Sequence, residues 1–530
     1  MIGIIIAISL VVIFLLFFMA INISKTIAYK LYKIPKIHWV VKFLTFRNKE
    51  YLKGSEFCVP RSVMPVVDDI GWSLGKDDRK NNGPSRLVAK RNPTVLDYEK
   101  IINIGKISGT RIPCMMVISD FDKKNTCAKE EYNIDSFITE KGTSWKNTTP
   151  IEFSKRVMDL LYANSAYIEM GLHGVRHEHF DKNGMKNAEW ADGEIGCSWG
   201  EEYTDMHCQI FEEILREYFT SNQCSFPESF VPPSHAFAFY SQDAKILHKY
   251  GVKYLYVSCA KRPSIKFFRH SGVFSDGILM LDRTDITDIS HEALTPKKHP
   301  ETNSWIGTHF PNFWGKSEKK WVKYLKGLNK NALTMLGRNS RSNNSQWIYN
   351  HHMASIFEKG KIYLNNLYMP QWAYDSDFID GVWLKINLHK KEHVSQINVN
   401  GLKLGAYYED EYNNAYLYLI ADNKKSGTLE KEIYKGEYLI GKTLPTTTYV
   451  DIGKETFSIK NILDDGNKIY LKLVIYGEHN LKIKTANKFT KVACKSSNVT
   501  SINTSAKTIE MKLKSTNMIS EEIELEIEYQ

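Results

Sequence analysis

A mixed α/β fold, a parallel barrel or sheet followed by an antiparallel β-sandwich, is predicted on three observations. Strand-like and helix-like segments alternate from about residue 59 to 330, strict period-two alternation takes over beyond Ile362, and one unbroken apolar run precedes both. The 530 residues exceed what one core holds, so two folded domains are expected. A hydrophobic fraction of 43% and a charged fraction of 25% exclude wholesale disorder.

The apolar run from Ile2 to Ile21 has no polar face and is long enough to cross a bilayer. No basic stretch precedes it and no small-x-small cleavage site follows. Residues 1–24 are therefore expected to be an uncleaved transmembrane anchor, with the lipid bilayer as partner of 2–21. Lys25, Lys30, Lys33, Lys36, Lys42, Arg47 and Lys49 form a basic juxtamembrane linker over 25–58, a bias that puts the body of the protein in the cytoplasm. The net charge of +10 is concentrated here and along the C-terminal strands. No arginine-rich helix or zinc-finger spacing accompanies it, so nucleic acid is not an expected partner. The 8 cysteines include no C-x-x-C pair, which argues against a thiolate zinc site.

The first domain is expected over 59–335. Strands are predicted at 62–67, 113–119, 166–172, 229–231, 253–257, 277–281 and 305–308. Helices are predicted at 95–107, 150–163, 206–219, 241–250 and 319–328. Gly337 to Gln346 (GRNSRSNNSQ) is wholly polar and predicts a linker over 336–360. The second domain, 361–530, alternates apolar and polar residues at 382–388, 468–476, 508–513 and 523–529, the pattern of an antiparallel sandwich. Its tyrosines Tyr407, Tyr408, Tyr416 and Tyr418 either offer aromatic faces to sugars or, the reading favoured here, fill the sandwich core.

Polar groups at strand ends carry the chemistry. Asp68 and Asp69 end the first strand, His173 and His177 follow the third in an H-x-x-x-H pair, and His309 ends the last. Loops after barrel strands share one face, so these groups converge although distant in sequence. One aspartate with two histidines suits a divalent metal such as zinc, and four-residue spacing sets both rings on one side of a helical turn. A second aspartate then serves as general base and a separate histidine, reaching in from the opposite side of the mouth, as general acid. Alone, an Asp-Asp pair is an ordinary cap and H-x-x-x-H occurs in satisfied cores. Their joint placement carries the reading. Asp120 and Asp122, which also end a strand, are rival ligands.

On these residues the chain resembles the polysaccharide deacetylases (NodB-homology, carbohydrate esterase family 4). Val66-Val67-Asp68-Asp69-Ile70 is similar to the family's T-F-D-D-G, and His173 to His177 to its H-[ST]-x-x-H with Gly174 in the Ser/Thr place. Val231-Pro232-Pro233-Ser234-His235 resembles R-P-P-[YF]-G, and Trp305 to His309 the final strand ending in His. The resemblance spans about 59–330. It implies a distorted (β/α) barrel, Asp68 as base, His309 as acid, and a zinc-type ion on Asp69, His173 and His177. It also implies insertions near 72–93 and 122–148, an extracellular rather than cytoplasmic body, and an activity that removes N-acetyl groups from a surface polysaccharide. The motif arginine that pairs with the catalytic aspartate is absent at Val231. A metal-dependent esterase or amidase on another substrate, and a degenerate glycan-binding barrel, are the alternatives.

Overall fold

A computed structural model describes residues 57–72, 91–132, 149–180, 186–193, 197–239, 241–258, 272–285 and 303–529, plus 147, 295 and 299, with gaps at 148, 240, 424–425, 490 and 506. The expected anchor and almost all of the basic linker lie outside these residues, as does most of both expected insertions. No described helix is long and apolar enough to cross a membrane.

Seven parallel strands close into a barrel: β1 (Arg61–Ile70), β2 (Ile112–Val117), β3 (Ile168–Gly174), β6 (Ser229–Phe230), β7 (Tyr254–Val257), β9 (Ile278–Asp285) and β10 (Trp305–His309). The β10–β9 and β10–β1 pairings complete the ring. A short hairpin, β4 (Glu178–Phe180) with β5 (Lys186–Ala188), follows β3. Strand β8 (Val273–Ser275) runs antiparallel to β9. Strands buried on both faces explain the continuous apolar runs. Met64, Val66, Met115, Tyr254, Tyr256, Leu279, Leu281 and Trp305 fill the barrel. Their alternates Val63, Val67, Met116, Leu255 and Met280 face an outer layer of helices. That layer comprises α1 (Val95–Ser108), α2 (Ile151–Ala163), α3 (Glu201–Arg216), α4 (Gln242–Tyr250) and α5 (Glu318–Gly327).

The expected linker is instead an integral part of the core. After β11 (Thr334–Leu336), which extends the sheet beside β1, the polar stretch forms α6 (Ser340–His352), capped by Asn339 and almost entirely buried. Each polar side chain finds a specific partner. Asn344 donates to the Tyr256 hydroxyl and accepts from Trp305 Nε1, both at 3.0 Å. Gln346 donates to the Pro60 and Trp383 carbonyls, and Arg341 forks onto Asp380 at 2.8 and 2.7 Å. Polarity here therefore marks a hydrogen-bonded plug at the N-terminal end of the barrel, the end away from Asp68 and His309.

Beyond α6, 11- and 4-stranded sheets, with mostly antiparallel pairings, pack through a shared apolar cluster that includes Tyr416, Tyr418, Ile459, Leu471 and Leu525. Tyr416 and Tyr418 are buried there with Tyr408 stacked on Tyr416, and Tyr407 is buried in the cluster that includes the barrel interior, so these rings fill core. The seven described cysteines form no disulfide with one another.

Candidate metal centre

The Asp-Asp pair sits in a β-bulge. Between Val67 and Ile70, β1 advances three residues while β2 advances two, from Cys114 to Met116, and Asp69 adopts a left-handed φ of 61°. This kink, rather than an extended strand end, separates the two carboxylates. Asp68 turns to Arg283, and Asp69 turns to the histidines.

Asp69 Oδ1 lies 3.2 Å from His173 Nε2 and 3.6 Å from His177 Nε2. One atom from each of the three residues falls within 4.8 Å of the others, and this is the metal-sized cluster of such groups among the described residues. The donor set fits a divalent ion on two further grounds. Asp69 is 2% exposed, yet its Oδ1 accepts no hydrogen bond. His173 Nδ1 is 2.5 Å from the Val231 carbonyl, to which it donates, so Nε2, facing Asp69, is the nitrogen left to give up its proton to an ion. Burial pushes the Asp69 carboxyl up, but His173, His177 and His309 more than reverse this and hold it well below the usual carboxylate range. Burial opposes charge on His173 too, and the two aspartates still raise it above an ordinary imidazole.

The H-x-x-x-H segment is not a helical turn. It leaves β3 as a bend with His177 at φ 74°, and the rings meet at a centroid distance of 5.2 Å. Glu189, fully buried, accepts the backbone N–H groups of Val175 (2.7 Å), Arg176 (3.1 Å) and His177 (2.5 Å). A Cβ on Gly174 would come within 2.1 Å of Glu189 Oε2. Glycine is required here because a carboxylate occupies the space a side chain would need. Trp72 packs on His177 at 4.8 Å and walls the site.

His309 lies in register with Asp68 on the adjacent strand, so it approaches from beside Asp68, not from across the mouth. Its Nε2 is 3.8 Å from Asp69 Oδ2, whereas His173 and His177 come nearest to Oδ1. The rival aspartates are committed elsewhere: Asp122 accepts the Thr126 and Cys127 N–H groups, and Asp120 is outside the metal-sized cluster.

Sequence reasoning missed Arg283. Its Nη1 donates to Asp68 Oδ1 at 2.8 Å and its Nη2 to Oδ2, so an arginine from β9 holds this carboxylate on both oxygens. Burial disfavours its charge, but Asp285 and Asp68 reverse that and hold it cationic. The signal was the charged run Asp282-Arg283-Thr284-Asp285 continuing an apolar strand that was expected to stop at Leu281. Comparisons with protein-family models, curated proteins and solved structures yield no match to this chain.

Proposed function

We propose that this protein is a metal-dependent hydrolase of the polysaccharide-deacetylase type that removes N-acetyl groups from a glycan. The observation that carries the reading is the separation of two adjacent carboxylates. Asp69 faces two histidines and Asp68 faces an arginine, which divides ligation from proton transfer. Asp69, His173 and His177 would hold the ion, zinc being the best match to one carboxylate and two imidazoles. When bound, it supplies Lewis-acid polarisation of the amide carbonyl.

The chain's own residues account for the proton inventory. Asp68, fixed by Arg283, takes the proton from the attacking water. His309, beside it, gives one to the leaving nitrogen, so that amide and water become acetate and amine. Arg283 also answers the principal argument for a degenerate, binding-only barrel, since the base is tethered without the motif arginine.

The test is acetate release by the metal-loaded full chain from N-acetylglucosamine oligomers, with O-acetylated glycans alongside. Release from the amides alone, abolished by chelation and restored by zinc, supports the proposal. Release from the esters alone changes the substrate class, and zinc uptake with no release from either refutes the hydrolase reading.

A further inference from the structure

The stretch after β6 bends sharply. Ser234 and His235 are consecutive non-glycine residues in the left-handed region, at φ 57° and 59°, a costly backbone to hold without a function to serve. The turn drives His235 inward to 7% exposure. There its Nε2 is 2.8 Å from Asp285 Oδ2, and its Nδ1 receives the Ser258 N–H at 3.3 Å. A ring nitrogen that accepts carries no proton, so Nε2 donates to Asp285.

Asp285 Oδ1 in turn lies 2.9 Å from Arg283 Nε, an ion pair without the alignment of a hydrogen bond, and the two terminal nitrogens of that guanidinium hold Asp68. Gly307, on the neighbouring β10, leaves room for this arrangement, because a Cβ there would come within 1.9 Å of Asp285 Oδ1. Four side chains therefore form one buried line, His235–Asp285–Arg283–Asp68, from the loop after β6 to the end of β1.

We propose that His235 is a positioning residue for Asp68, acting through Asp285 and Arg283; the inference rests on Asp68 as the base. Arg283 sits between two carboxylates that compete for it. The His235 N–H occupies the outer oxygen of Asp285, so that Asp285 faces the Nε edge of the guanidinium as a counter-ion alone. The two terminal N–H groups then stay on Asp68 and hold its carboxylate in one orientation.

Two variants of the full chain separate this role from packing. His235→Gly relieves the left-handed backbone and removes the donor. His235→Gln keeps a donor N–H at similar reach. The proposal expects His235→Gly to lower kcat for acetate release by roughly 10–100-fold, the scale of one charge-assisted hydrogen bond. KM should stay within about twofold, zinc content should be unchanged, and His235→Gln should recover most of the loss. Crystal structures of both variants give a readout independent of the substrate: Arg283 should leave Asp68 in the glycine variant and return in the glutamine variant. Arg283 keeping both bonds to Asp68 in His235→Gly would overturn the proposal, as would a wild-type kcat there or a glutamine variant no better than glycine. If the wild-type chain releases no acetate, the functional reading fails, and the two crystal structures alone decide the role of His235.

Discussion

Arg283 at the end of β9 clamps Asp68 at the end of β1, with Nη1 2.8 Å from Oδ1. Asp69, the next residue, makes no such contact and faces only imidazoles. The two neighbours should therefore respond differently to the same isosteric change. Asp68→Asn is expected to abolish turnover while the ion stays bound, and His309→Ala to slow it by roughly 10²–10⁴-fold, also with metal retained. Acetate release and elemental analysis on the same preparations check both. Near-normal activity in Asp68→Asn would remove its role as base.

Glu189 is expected to govern metal affinity without touching the metal. It accepts three consecutive N–H groups of the loop carrying His177, so Glu189→Ala frees that loop. Zinc affinity should fall by roughly 10–100-fold, as for other groups that orient a ligand. Competition against a chelator of known affinity measures it. An unchanged affinity would mean that the loop keeps its shape without the carboxylate.

Much of the barrel was legible in the sequence because its strands are apolar on both faces and its helices keep an apolar stripe facing them. Met64 and Val67 are both buried, one inside the barrel and one outside, so the run reads as a strand whichever way it faces. Helix α6 was not legible. It buries Arg341, Asn344 and Gln346 together with Trp347, Ile348 and Tyr349, so polar and apolar residues are covered alike and no apolar stripe exists to find. The candidate site shows the same division. Asp68, Asp69, His173, His177 and His309 stand at strand ends and could be collected from order alone. Arg283 and Glu189 act through contacts between distant segments, which periodicity does not encode.

The plug role of α6 predicts that the barrel does not fold without it. A chain ending at residue 335 loses the partners of Tyr256, Trp305 and the Pro60 carbonyl, and exposes the apolar end of the barrel. Such a truncation is expected to lose near-ultraviolet circular dichroism and a cooperative melt. A sharp melt near that of the full chain would show the barrel to be independent.

His207 predicts an acid-sensitive component of stability. Burial pushes its pKa down to about 3, with His179 and Arg176 adding to the shift and the Tyr203 carbonyl opposing it; Glu189 faces its other nitrogen at 3.8 Å. The folded protein cannot take this proton near pH 5, whereas the unfolded chain takes it from about pH 6.5. Stability from this group is thus complete above pH 6.5 and declines as pH falls toward 3. His207→Gln should flatten the fall of Tm between pH 6.5 and 4. Parallel Tm curves for the two proteins would show that His207 titrates normally.

Zinc titration of the metal-stripped full chain, beside its Asp69→Asn variant, tests the metal centre most directly. Asp69, His173 and His177 predict about one equivalent bound to the wild-type chain and none bound tightly by the variant. Equal stoichiometry and affinity in both would contradict the assignment of Asp69 as a ligand and, with it, the division of labour between the two aspartates.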